Sequence, residues 1–124
     1  MGTFSVAFQI GDLAGQRFVP VEALVDTGSS DTSVPENVLK ELGITPVGER
    51  PYRLADERIV TYPVGQARVR LDGQYLVVLV VFLPEGIPAR LGGTTLAMFG
   101  LGVDPSGKQL IPVPGLIKNP FRRI

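Results

Sequence analysis

The first ten residues alternate, with Phe4, Val6, Phe8 and Ile10 on one face and Thr3, Ser5, Ala7 and Gln9 on the other. A period of two belongs to a strand with one face buried. Gly11-Asp12-Leu13-Ala14-Gly15 then supplies turn chemistry, so Arg17 to Val25 is expected to return as the second arm of a hairpin. Pro20 interrupts that arm and has no N–H to give to a ladder, which places it at an edge or a bulge.

The period changes at Pro35. From there to Gly43 the segment carries proline in its first turn, an apolar stripe of Val38, Leu39 and Leu42, and glycine after its end, which predicts a short helix. Arg50 to Leu54 and Arg58 to Val64 are expected to pair around Ala55-Asp56-Glu57, the second arm running on through Ala67, Val69 and Leu71. Asp72-Gly73 is a tight-turn signal. Tyr75 to Phe82 follows as a strand apolar on both faces, and hence expected to be buried on both. After the loop Pro84 to Pro88, Thr94 to Phe99 is expected as a second short helix ended by Gly100. Leu101 to Val103 and Gln109 to Val113 then form two short strands around the turn Asp104 to Lys108.

Many short strands at close spacing, with 15 glycines and 11 prolines, predict an all-β domain: a small closed β-barrel with one or two short helices. The chain of 124 residues is read as one domain, residues 1–113, with a tail at 114–124 that is either a dimer-interface strand or disordered.

Composition narrows the chemistry by what it lacks. There is no cysteine and no histidine. Thiolate and imidazole zinc sites, disulfides, cysteine nucleophiles and Ser-His-Asp triads are therefore excluded, and no metal or other cofactor is expected. Acid–base chemistry falls to Asp, Glu, Lys or Tyr, or to a metal held by oxygen ligands. Twelve basic side chains balance twelve acidic ones, and the one basic cluster is Arg122-Arg123, so no nucleic-acid partner is expected. The longest apolar run, Leu76 to Leu83, is too short for a bilayer, which needs about 20 residues. With no export signal at the start and no cysteine, a cytoplasmic protein without membrane contact is expected.

Within this frame Ala23-Leu24-Val25-Asp26-Thr27-Gly28-Ser29-Ser30 stands apart. An apolar strand runs directly into an acid, then a hydroxyl residue and a glycine. A carboxylate there is costly to desolvate unless something pairs with it. Thr27 and Ser30 offer hydroxyls to orient it, and Gly28 permits close backbone approach or a positive φ.

Leu24-Val25-Asp26-Thr27-Gly28-Ser29-Ser30 resembles the catalytic signature of aspartic proteases. Its continuation, Thr32-Ser33-Val34-Pro35 into the helix before Leu42-Gly43-Ile44, is similar to the small bacterial and archaeal branch of retropepsin-like proteins. Arg53-Leu54-Ala55-Asp56-Glu57-Arg58-Ile59-Val60 resembles that branch's flap hairpin, and Leu91-Gly92 with Gly100 to Pro105 resembles its late Leu-Gly turn and closing strand. Three segments in one order say far more than one tripeptide. Two departures accompany them: Glu57 stands where glycine is usual, and Gly92-Gly93-Thr94-Thr95 is an unusual filling before the second helix.

The resemblance implies an acid-protease barrel and an aspartic endopeptidase acting as a homodimer on peptide or unfolded-protein substrates. Asp26, Thr27 and Gly28 become the catalytic residues; Leu54, Ala55 and Asp56 become substrate-binding. One Asp-Thr-Gly without duplication requires the second carboxyl from another copy. The cleft walls implied are apolar: Val34, Leu54, Ile59, Ile87 and Leu91. Two other readings stay open on the residues alone. One is a dimerisation or peptide-binding module of the same fold with little or no proteolysis. The other is a monomeric β-barrel binding domain whose likeness is accidental. Asp26 with Asp31 is too sparse a set of acids for a calcium loop.

Overall fold

The computed structural model of the protein describes residues 4–117. Among the described residues nine strands and two short helices follow one another: β1 (Ser5–Gly11), β2 (Phe18–Asp26), β3 (Thr32–Pro35), α1 (Glu36–Glu41), β4 (Gly48–Arg53), β5 (Ile59–Leu71), β6 (Gln74–Leu83), β7 (Arg90–Gly92), α2 (Gly93–Met98), β8 (Leu101–Val103) and β9 (Leu110–Pro112). The main sheet runs β1-β2-β7-β3-β6-β5-β4, and β1 also pairs with β5. That extra pairing closes six strands into a barrel and leaves β4 outside it, bonded to β5 alone. β8 and β9 form a separate ribbon.

Local chemistry explains most of these elements. β1 and β2 pair antiparallel with Phe8 opposite Val21 and Gln9 opposite Pro20. Val25 gives its N–H to Phe4 and Leu24 gives its own away from β1, to Ala89. By that alternation the missing N–H of Pro20 faces outward, where β2 has no second neighbour, as an edge position requires. Asp72 and Gly73 have φ of 53° and 76°, the paired positive values of a two-residue type I′ turn. α1 begins after Pro35 and ends at Gly43, whose φ is 76°. Leu39 in the helix and Leu42 just after it are buried, and Val38 is half-buried.

The core fills the barrel and the space under both helices, with Ile10, Val34, Leu39, Val69, Val80, Leu91 and Leu96 almost fully enclosed. A second, smaller cluster of Val64, Val81 and Leu83, with Tyr52, Tyr62 and Leu79 against it, lies beneath the β4–β5 hairpin. β6 divides between the two, because Val80 and Phe82 enter the main core and Val81 and Leu83 the smaller one. Burial on both faces, expected from Tyr75 to Phe82, is found only from Val80 to Leu83. Its first half crosses the outer wall of the barrel, where Tyr75 and Val77 are exposed. Tyr75 instead meets Phe18 edge-on, and the Arg70 guanidinium lies over its ring.

Among the described residues no helix is long and apolar enough to cross a membrane. The tail role expected for 114–124 falls largely on 118–124, outside the described residues, as do Arg122 and Arg123. Leu116 and Ile117, just before them, are exposed.

Candidate active site

Asp26 is the last residue of β2. The chain then turns, Ser29 N–H bonding the Asp26 carbonyl at 3.1 Å, and both carboxylate oxygens find donors within that turn. Gly28 N–H donates to Oδ1 at 3.1 Å and Ser29 Oγ to Oδ2 at 2.9 Å. Arg90 Nη1 reaches Oδ2 from β7 at 3.2 Å. The hydroxyl that orients the acid is therefore that of Ser29, not of Thr27 or Ser30; both of these are exposed.

The turn is anchored from the far end of the chain. β7 lies between β2 and β3, parallel to β2, with Val25 opposite Leu91 and Asp26 opposite Gly92. At the start of α2, Gly93 N–H donates to the Ser29 carbonyl at 2.7 Å and Thr94 N–H to that of Ser30 at 2.9 Å. A Cβ on Gly92 would stand 2.6 Å from the Asp31 carbonyl, so only glycine fits. Beside it Thr32, fully buried, accepts from Gly92 N–H at 3.1 Å and donates to Thr95 Oγ1 at 2.7 Å. The unusual Gly92-Gly93-Thr94-Thr95 is thus the cradle of the Asp26 turn. The two glycines admit the turn's backbone, and Thr95 completes a buried hydroxyl pair.

The hairpin of β4 and β5 is tied to the same turn. Asp31 Oδ2 accepts from Tyr52 Oη at 2.7 Å and Arg50 Nη1 at 3.0 Å. Burial, together with the adjacent Asp31 carboxylate, pushes the Tyr52 hydroxyl above its ordinary range. The hairpin's end is a three-residue loop: Glu57 N–H bonds the Leu54 carbonyl at 2.9 Å, and Leu54 N–H bonds that of Arg58 at 2.8 Å. Glu57 itself takes φ of 73°, the left-handed position such loops usually give to glycine. Leu54 is half-buried there, while Ala55 and Asp56 are exposed. The Asp56 carboxylate turns back onto its own loop, accepting from Arg58 N–H at 3.1 Å and Nε at 2.7 Å. Those bonds hold the Asp56 carboxyl below its usual range. The structure therefore gathers Asp26, Thr27 and Gly28 into one turn and sets Leu54, Ala55 and Asp56 at the end of the hairpin tied to it.

Two of the apolar cleft walls expected from sequence lie elsewhere. Val34 and Leu91 are fully enclosed in the main core, because they alternate with Ser33 and Arg90 along β3 and β7. Ile59 and Ile87 are exposed. Arg90 escaped sequence reasoning. It was visible only as one charge before Leu91-Gly92, and the strand that aims it is three residues long. Among the described residues no group of three or more acids is placed to hold a metal ion. A separate concavity of about 370 Å³ lies between Phe4–Val6, Leu71 and Lys108–Leu110, and Asp72 is its one carboxylate.

A family profile described as aspartyl protease matches residues 6–104. No curated protein sequence matches the chain. Among solved structures, the protease of simian foamy virus superposes with a TM-score of 0.52 at 15% identity, over 76% of this chain and 94% of that one. A retropepsin-like aspartic protease from Rickettsia conorii superposes with a TM-score of 0.53 at 19% identity, over 83% and 88%. The foamy viral protease–reverse transcriptase gives a TM-score of 0.55 at 16% identity over 94% of this chain, which spans 14% of the length of that larger protein. At such identities these likenesses speak for the fold, and the profile match for the family.

Proposed function

The chain belongs to the aspartyl protease family, and on that premise we propose that it is an endopeptidase whose active site is completed by a second copy of itself. Asp26 from each subunit would meet at the two-fold axis. Two like charges about 3 Å apart do not both ionise, so the pair holds one proton. The ionised carboxylate takes a proton from a water lying between them, and the water oxygen adds to the scissile carbonyl carbon. The protonated carboxyl gives its proton to the carbonyl oxygen. Collapse of the tetrahedral diol breaks the C–N bond, the amine leaves with a proton, and no acyl-enzyme forms.

The residues around Asp26 take roles in that scheme. Gly28 N–H and Ser29 Oγ fix the carboxyl, Gly28 leaves room for substrate backbone, and Thr27 bonds across the axis. The hairpin end, Leu54 to Asp56, closes over an extended peptide bound as an added strand.

The observation that carries this reading is the contrast between two aspartates five residues apart. The Asp31 side chain is 6% exposed and spent on Arg50 and Tyr52, whereas that of Asp26 is 32% exposed at the open end of its strand. An oriented carboxyl that still meets solvent is what a general base requires.

The test compares the wild type with Asp26→Asn on an unfolded protein substrate from acidic to neutral pH. Cleavage by the wild type alone, rising faster than linearly with enzyme at low concentration, is expected. Full activity in Asp26→Asn would refute the mechanism. A second reading, a dimeric peptide-binding module without cleavage, draws on the Arg90–Asp26 ion pair, since a cation on the acid also suits a fixed structural pair. No cleavage by either protein, with a dimer present, would favour it.

A further inference from the structure

The floor on which Asp26 stands has a sequence of side chains of its own. Residues opposite one another in a ladder share a face. Leu24 is opposite Arg90, Arg90 opposite Ser33, Ser33 opposite Val81, and Val81 opposite Val64. Crossing the sheet from the Asp26 strand to the hairpin, this face therefore presents Asp26, Arg90, Ser33 and then the apolar cluster beneath Tyr52 and Tyr62. Two cations stand along that path: the Arg90 guanidinium beside Asp26 and, at the hairpin, that of Arg50, which is bonded to Asp31.

The Arg90 side chain is 40% exposed, and a guanidinium carries five N–H groups. Among the described residues it makes one hydrogen bond, to Asp26, and so keeps donors for an incoming group. A peptide laid over Asp26 shields Arg90 from water. An apolar substrate side chain placed there would leave those donors unsatisfied, whereas a carboxylate matches the guanidinium fork.

We propose that Arg90 makes the chain select peptides carrying aspartate or glutamate beside the bond that is cut. The proposal rests on the endopeptidase reading above and names its substrate class. In a symmetric dimer one Arg90 would serve each side of the scissile bond.

The test uses the full chain and matched peptides that differ only at the residue flanking the scissile bond: Glu, Gln, Leu or Lys, on either side. At neutral pH the wild type is expected to favour Glu over Gln and Leu in kcat/KM by about 10- to 100-fold, the size of a hydrogen bond to a charged group. Arg90→Leu should bring Leu above Glu, and Arg90→Lys should keep the preference for Glu at a smaller ratio. A wild type that cleaves all four alike, or prefers Leu, would overturn the proposal and leave the endopeptidase reading standing. So would an Arg90→Leu variant that loses the same factor on every peptide, since Arg90 would then only position Asp26. If the wild type cleaves none of these peptides and no unfolded protein either, the endopeptidase reading falls and takes this proposal with it.

Discussion

Replacing Thr32 with valine keeps the side chain's shape and deletes one oxygen, and that oxygen has two partners. It accepts from Gly92 N–H at 3.1 Å and donates to Thr95 Oγ1 at 2.7 Å, with Thr32 fully buried and Thr95 2% exposed. Valine strands both partners away from water, at about 1–3 kcal/mol for each buried group left unsatisfied, or about 2–6 kcal/mol in sum. Thr95→Val is milder, because Thr32 still accepts from Gly92 and only its hydroxyl proton loses a partner, at about 1–2 kcal/mol. In the double variant Gly92 N–H alone is orphaned, so the loss is about 1–3 kcal/mol and the pair should be more stable than Thr32→Val by itself. Urea unfolding at fixed protein concentration reads the cycle. With m of about 2 kcal/mol/M, Thr32→Val should lower the midpoint by about 1–3 M at unchanged m. A double variant at or beyond the sum of the two singles would refute the reasoning, for the two hydroxyls would then be satisfied independently of one another.

The hairpin end and the turns offer two further checks. Glu57 sits at φ of 73°, so Glu57→Gly should be more stable than Glu57→Ala by about 1 kcal/mol, both variants having lost the exposed pair with Arg53; equal stabilities would remove the backbone strain. Asp12, Asp56 and Asp104 accept hydrogen bonds in three turns that hold their carboxyls below the ordinary 3.8, so the stability they add is present above that value and lost as pH falls through their lower folded values. Urea midpoints should fall below about pH 4, and less steeply in Asp12→Asn; an unchanged acid slope in that variant would count against its two backbone bonds, from Gln16 and Arg17.

What could be read from the residues depended on how local its cause was. The Asp72-Gly73 turn, the helix between Pro35 and Gly43, and the long second arm through Leu71 follow from neighbours in sequence, and they stand where pattern and turn chemistry put them. β3 and β7, with four and three residues, are too short to show a period, and only their neighbours across the sheet make them strands. The resemblance alone turned Val34 and Leu91 toward the cleft, and without the strands their alternation with Ser33 and Arg90 had no phase to correct it. Gly92-Gly93 was visible as an oddity, but its reason is a backbone contact with residues some sixty positions earlier. The apolar stretch Tyr75 to Val77 misled in the opposite sense, since among the described residues no layer of structure covers the barrel wall it crosses: Tyr75 meets only Phe18 and Arg70, and Val77 is exposed.

The insertion of β7 between β2 and β3 also sets an order of events during synthesis. Asp26 is made before Arg90, Gly92, Gly93 and Thr94, which hold its turn and all come more than sixty residues later. A chain that has not yet reached β7 has the local donors of the turn, Gly28 N–H and Ser29 Oγ, but neither Arg90 nor the backbone of Gly92 to Thr94 that anchors it. Pairings this distant in sequence also belong to the slow end of folding, about milliseconds to seconds for all-β domains, because a long loop must close before any contact rewards it. On the proposed endopeptidase reading, the acid would thus be made well before the anchors that complete its site.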